Sequence, residues 1–139
     1  MFKNILLAMD GSEHARKAAQ IAGDLARSMN ADLVVVTAFD PIPGYLGEPD
    51  RQRLTSAHMS EAEHAMEKGQ QEVGKISGKV QKEILEGPAA EAILNVAETH
   101  GNDLIIMGTR GRGGLRSLII GSQSQKVVSH ATCPVLLVR

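Results

Sequence analysis

Short, uninterrupted apolar segments alternate along this chain with segments in which apolar residues recur every three or four positions. The apolar segments are residues 5–9, 33–39, 80–85, 104–107 and 135–138. Apolar runs without polar interruption are typical of parallel strands buried on both faces, and the longer periodicity is typical of amphipathic helices. The pattern therefore predicts an α/β fold with five parallel strands.

Four helices are expected to follow the first four strands. They are predicted at residues 15–29, 54–73, 88–100 and 122–130. Ser12 is the expected N-cap of the first helix, Pro88 lies in the first turn of the third, and Gly101 is its expected C-cap. Glycines at 69 and 74 weaken the end of the second helix. Each helix is long enough to cross from one strand to the next.

The order of elements also predicts the topology. Right-handed crossovers between parallel strands place helices on both faces only when the sheet is doubly wound. We expect a single-domain, doubly wound, five-stranded parallel sheet in the order 3-2-1-4-5. In this order the first and fourth strands are neighbours, and their outgoing loops diverge to open a crevice at the carboxyl ends of the strands.

A long polar segment at residues 40–52 follows the second predicted strand and contains three prolines and two glycines. This composition predicts a loop. The loop would either fold over the crevice or form a plain surface connection, and the sequence does not choose between them.

Composition limits the classes of partner. The 139 residues carry a formal net charge of −1 and three aromatic residues, Phe2, Phe39 and Tyr45. Proteins that bind nucleic acid need a basic surface or aromatic stacking platforms, so a polynucleotide partner is not expected.

Cysteine content and hydropathy bear on location. The single Cys133 cannot form an internal disulfide, and its place before Pro134 favours a small buried hydrophobic residue over a reactive thiol. The sequence shows no targeting segment and no apolar run of about 18 residues, so a membrane association is not expected. These features favour a cytoplasmic protein.

The most informative chemistry lies in the spacing of glycines near the C-terminus. Gly108, Gly111 and Gly121 are separated by two and nine residues, and Ser122 follows directly. Glycine allows a close approach of the backbone to a ligand and a positive φ, so a glycine-rich loop before a helix is typical of a phosphate-binding site. The N–H groups of residues 122–124 would carry the positive end of the helix dipole, and the hydroxyls of Ser122 and Ser124 can bind a phosphate or its metal ion.

Charged residues near this motif admit two interpretations each. Arg110, Arg112 and Arg116 can screen phosphate charge, although loop arginines are usually solvated. Asp10, at the end of the first strand, can accept a hydrogen bond from a ribose hydroxyl or an adenine amine, or it can cap the helix that follows.

Several other kinds of site are disfavoured. The chain has no G-x4-G-K-[ST] loop, no G-x-G-x-x-G after its first strand, no HExxH and no G-x-S-x-G. His58, Glu61 and His64 can share part of a helix face, but a solvated polar face is the better interpretation than a metal site. Ser12 and His14 have no further support as a nucleophile pair. No catalytic residue and no protein metal ligand is assigned.

Three segments carry a family resemblance. The motif GTRGRGGLRSLIIGS, the opening ILLAMDGSEHA and the ending SQKVVSHATCPVLLVR resemble the universal stress protein family, and the glycine spacing resembles its ATP-binding branch. The resemblance covers essentially the whole chain, as one nucleotide-binding domain at residues 1–139. It implies a bound ATP or AMP, with Mg²⁺ or Mn²⁺ on the phosphates, and a homodimer.

The resemblance also assigns residues to parts of the ligand. Together with the motif and the topology, it gives the following nucleotide-binding set: Ala8, Met9, Asp10, Ala38, Met107, Gly108, Arg110, Gly111, Gly121, Ser122, Gln123 and Ser124. Gln123 departs from the apolar residue that is common after Gly-Ser in the family. Since this position would contribute mainly its backbone N–H, the departure bears on selectivity more than on binding.

Three functions remain open on the sequence. The preferred one is a cytoplasmic stress-response protein that binds ATP or AMP as a regulator, with slow or no hydrolysis. The alternatives are an enzyme that uses the same site for ATP hydrolysis or for adenylyl or phosphoryl transfer, and an interaction module without a ligand. An apolar edge strand at residues 135–138 favours a two-fold dimer through that strand, unless another element covers the edge.

Overall fold

Strands and helices alternate in the computed structural model, which describes residues 1–109 and 120–139. In chain order the elements are β1 (Asn4–Ala8), α1 (Glu13–Met29), β2 (Asp32–Phe39), α2 (Asp50–Val73), β3 (Val80–Glu86), α3 (Ala89–His100), β4 (Leu104–Gly108), α4 (Ser122–His130) and β5 (Val135–Val138). The bounds of each strand match the apolar segments to within one residue. The predicted elements are confirmed.

The strands form one parallel sheet in the order β3-β2-β1-β4-β5. The central strand β1 pairs on one side with β2, Leu7 opposite Val35, and on the other with β4, Leu7 opposite Ile106. The predicted topology is therefore confirmed, including the β1–β4 neighbour pair that defines the crevice.

Two hydrophobic layers explain why the strands are apolar at every position. Ile5 and Leu7 face the layer under α1 and α2, whereas Leu6 and Ala8 face the layer under α3 and α4. Ile5, Leu6 and Leu7 are fully buried. A strand covered on both faces has no position left for a polar residue, which produces the uninterrupted runs in the sequence.

Most helix ends lie where the sequence predicts them. Gly101 takes the left-handed conformation at the end of α3, with φ of 63°. Pro88 is the N-cap residue of α3 in extended conformation, so its predicted place inside the first turn is wrong by one position. This displacement leaves the ring outside the helix, where its missing N–H costs no hydrogen bond.

The second helix begins earlier than its apolar periodicity indicates. It starts at Asp50, so the loop after β2 spans residues 40–49 rather than 40–52. Residues 50–53 are exposed and carry no apolar signal. The helix then runs through Gly69, where a Cβ would lie 2.6 Å from Cγ of Met9. Close packing on the end of β1 explains a glycine that sequence propensity disfavours.

We predict that Ser12→Ala destabilises the chain by about 1 kcal/mol, because the Ser12 hydroxyl caps α1. Ser12 Oγ accepts a hydrogen bond from the Ala15 N–H at 3.1 Å. Urea denaturation measures the effect, with Ser56→Ala as the control because Ser56 is an exposed residue within α2. Equal free energies of unfolding for the two variants would contradict the capping role.

Cys133 packs, partly buried, against the α3 and α4 layer. Burial raises the pKa of its thiol, which keeps the group protonated at neutral pH. Within residues 1–109 and 120–139, no helix combines the length and apolar character needed to cross a bilayer.

Candidate functional site

The carboxyl ends of three adjacent strands meet at one edge of the sheet. Ala8 and Met9 lie at the end of β1, Ala38 near the end of β2, and Met107 and Gly108 at the end of β4. Ala8, Met9 and Met107 are buried, whereas Ala38 is half-buried. The sheet therefore brings together sequence-predicted residues that are up to about 100 positions apart.

The segment between Thr109 and Ile120 contains the middle of the glycine motif. Arg110 and Gly111 lie outside the described residues, as do Arg112 and Arg116. Their predicted roles stay predictions.

A tight turn leads from β1 into α1. Oδ1 of Asp10 accepts a hydrogen bond from the Ser12 N–H at 2.9 Å, and Gly11 between them has φ of +80°. A positive φ requires glycine here. Asp10 therefore bonds the N-cap residue instead of capping α1 itself, as Ser12 does, and one of its two carboxylate oxygens is used in this turn.

Thr109, the residue after Gly108, forms hydrogen bonds with three other elements of the fold. Its N–H donates to the Val138 carbonyl at 2.8 Å, and its carbonyl accepts from the Gly121 N–H at 2.6 Å. Its hydroxyl is hydrogen-bonded to Nδ1 of His14 at 2.8 Å. Thr109 is buried and ties β5, the start of α4 and the first turn of α1 to the end of β4.

The sequence did not predict that Thr109 and His14 support the site. The available signal was a hydroxyl residue directly after Gly108, inside the glycine motif. His14 gave no such signal, because its partner is 95 positions away in the sequence.

The two motif glycines that can be described do not take a positive φ. Gly108 is not among the positive-φ residues, and Gly121 has φ of −69° and ψ of 160°. The expectation of positive φ is therefore wrong for both. At Gly108 the reason for glycine is packing, since a Cβ would lie 2.7 Å from Cβ of His14 and 3.1 Å from the Ala15 nitrogen.

The start of α4 presents backbone N–H groups at this edge. Gly121 is the N-cap and provides no side-chain cap. The first bond of the helix runs from the Gln125 N–H to the Gly121 carbonyl at 2.9 Å, so the N–H groups of residues 122–124 precede the helical ladder. Their partial positive charge suits an anion.

The two serines of this turn differ in their surroundings. Ser124 is buried, and its hydroxyl donates to the Gly108 carbonyl at 2.8 Å, which holds the first turn of α4 on β4. Ser122 is exposed. Of the two predicted hydroxyl donors, the exposed one is better placed to reach a ligand.

Among the described residues, Glu13 and Arg16 form an ion pair in the first turn of α1. Arg16 hydrogen-bonds Glu13 in the first turn of α1 and lowers the pKa of that carboxyl, so Glu13 is ionised at neutral pH. Across residues 1–109 and 120–139, no group of three His, Cys, Asp or Glu side chains is arranged to hold a metal ion.

Solved structures share this architecture. "Universal stress protein UspA from Lactobacillus plantarum" is 30% identical, with a TM-score of 0.86 over 99% of this chain and 98% of that one. Two further structures show the fold alone. A universal stress protein in complex with cAMP is 20% identical (TM-score 0.72, 99% and 97% covered), and one from Archaeoglobus fulgidus in complex with dAMP is 19% identical (TM-score 0.73, 100% and 98% covered).

Sequence comparisons extend over the full length. A family model described as "Universal stress protein family" matches residues 1–139. A Thermus aquaticus protein, "Universal stress protein in QAH/OAS sulfhydrylase 3'region", is 48% identical over 100% of both chains. The chain belongs to the universal stress protein family.

Proposed function

We propose that this protein binds an adenine nucleotide, ATP or AMP, in the crevice between β1 and β4 and acts as a nucleotide-dependent regulator in the stress response. The observation that carries the proposal is the start of α4, where the N–H groups of residues 122–124 lie at the carboxyl edge of the sheet behind a glycine N-cap. An ionised phosphate chain is the ligand that such a turn favours most.

A comparison of the two helices that leave β1 and β4 supports this placement. In α1 the Ser12 hydroxyl already accepts from the Ala15 N–H. In α4 the N-cap Gly121 has no side chain that could do the same. The phosphates of the nucleotide would therefore lie at α4, and a bound Mg²⁺ or Mn²⁺ would be held by the phosphate oxygens with the Ser122 hydroxyl.

The adenosine part would lie on the strand ends. Half-buried Ala38 offers a small apolar contact surface for an adenine ring, while Asp10 has a second carboxylate oxygen for a ribose hydroxyl. The complexes with cAMP and dAMP involve proteins of the same fold, and adenine nucleotides are thus a ligand class that this fold holds elsewhere.

The lack of one motif that is typical of phosphoryl-transfer enzymes supports regulation over catalysis. No lysine belongs to a G-x4-G-K-[ST] loop that would contact the β- and γ-phosphates. Hydrolysis, where it occurs, would be slow. The nucleotide would then act by stabilising one conformation or assembly state, which a cytoplasmic protein partner recognises.

A homodimer through β5 is part of the proposal. β5 is an edge strand, paired with β4 on one side of the sheet. Leu136 on this strand and Val128 on the neighbouring α4 are 37% and 48% exposed, which leaves apolar surface for a second copy. Sedimentation velocity at micromolar concentration is expected to show a dimer, and a monomer would contradict this part.

Mass analysis of the small molecules released on denaturing freshly purified protein tests the function. The proposal expects ATP or AMP in the extract and a higher Tm after addition of ATP with Mg²⁺. No adenine nucleotide together with no thermal shift would contradict it and favour an interaction module. Fast single turnover of labelled ATP without a partner would contradict the regulator and favour an enzyme.

A further inference from the structure

A side chain from the proposed phosphate-binding turn reaches the neighbouring helix. Oε1 of Gln123 accepts a hydrogen bond from the backbone N–H of Ala90 at 2.8 Å. Ala90 is buried in the first turn of α3, and the N-cap of α3, Pro88, makes no side-chain cap bond. Gln123 therefore supplies from α4 the cap that the start of α3 does not supply for itself.

Other contacts hold the same turn from a different direction. The Gly121 N–H donates to the Thr109 carbonyl, and the Ser124 hydroxyl donates to the Gly108 carbonyl. Both fix the start of α4 against the end of β4. Gln123 adds the attachment to α3, so the turn is held on two sides.

A weaker ion pair joins the same two helices one turn further on. Lys126 Nζ lies 3.2 Å from Oε1 of Glu91, with the side chains 45% and 57% exposed. Exposed pairs of this kind contribute little to holding a fixed geometry. The Gln123–Ala90 bond is thus the main polar contact between the first turns of α3 and α4 among the described residues.

We propose that Gln123 is a positioning residue, whose bond to the Ala90 N–H fixes the direction of the N–H groups of residues 122–124 and thereby sets the affinity for the phosphate chain of a nucleotide. The proposal rests on the proposed function. An aliphatic side chain at this position could not accept a hydrogen bond from the Ala90 N–H. The effect acts on the phosphates and leaves the adenosine contacts unchanged.

Calorimetric titration of ATP with Mg²⁺ and of adenosine into wild type and Gln123→Leu tests the proposal. Loss of one hydrogen bond of about 1 kcal/mol should weaken ATP binding roughly fivefold, while adenosine binding stays the same. A general loss of structure would weaken the binding of ATP and of adenosine by the same factor. Gln125→Leu is the matched control, because Gln125 is exposed on the same helix and its side chain makes no hydrogen bond within the described part of the chain.

Amide exchange by NMR provides a second readout. The Ala90 amide should exchange faster in Gln123→Leu and remain protected in Gln123→Glu, which keeps an acceptor oxygen at the same reach. If Gln123→Leu does not fold, Gln123→Asn serves instead, because its side chain is one methylene too short. This variant should also bind ATP roughly fivefold more weakly than the wild type and bind adenosine equally well, because it too loses one hydrogen bond.

The outcomes separate the two proposals. ATP affinity that is unchanged in the Gln123 variant, or equal losses for ATP and adenosine, would overturn the positioning role and leave the proposed function standing. No binding of ATP by the wild-type protein would overturn the proposed function and the positioning role with it.

Discussion

Gly121→Val is expected to lower the affinity for ATP by at least about a hundredfold, or about 2.7 kcal/mol, while the chain stays folded. Gly121 is the N-cap of α4. An N-cap side chain lies over the N–H groups of the second and third helical residues, here Gln123 and Ser124. Valine would thus cover the donors that the phosphates need, and it would add no donor or acceptor of its own.

The same substitution should leave the fold intact. Gly121 has φ of −69° and ψ of 160°, an extended conformation that valine adopts without strain. Calorimetric titration with ATP and urea denaturation separate binding from stability. Gly47→Val is the control, since a Cβ at Gly47 would meet nothing within 4 Å. Full ATP affinity in Gly121→Val would contradict the proposed phosphate site.

Gly108→Ala, in contrast to Gly121→Val, is expected to destabilise the fold, by about 2 kcal/mol. The added Cβ would lie 2.7 Å from Cβ of His14, 3.0 Å from its carbonyl carbon and 3.1 Å from the Ala15 nitrogen. The last two are backbone atoms in the first turn of α1, which cannot turn aside as a flexible side chain does. The helix would have to move away from β4.

Guanidinium denaturation measures this loss. Gly44→Ala is the matched control, because a Cβ there meets nothing within 4 Å. A free energy of unfolding for Gly108→Ala equal to that of the control would show that α1 does not pack on Gly108 as described. Together the two substitutions distinguish Gly121, which is required for ligand binding, from Gly108, which is required for packing.

The fold was predictable from the sequence because its physics is local and repetitive. Strands such as residues 104–107 are apolar at every position since helices cover both faces of the sheet. Right-handed crossovers then leave few topologies. The start of α2 was missed because residues 50–53 face solvent, where apolar periodicity carries no signal.

Only those parts of the candidate site that belong to a local sequence motif were predictable. The glycine spacing and Asp10 pointed to the edge at which β1 and β4 meet. The contacts of Thr109 with His14 and of Gln123 with Ala90 join residues 95 and 33 positions apart, and no local pattern encodes such pairs. The packing role of Gly108 was hidden for the same reason.

A crystal structure of this protein grown with ATP and Mg²⁺ would locate the bound nucleotide. We expect electron density for the phosphate chain within hydrogen-bond distance of the backbone N–H groups of residues 122–124, and for adenosine beside Asp10 and Ala38. Nucleotide density at another place on the chain, or none at saturating ATP, would contradict this expectation.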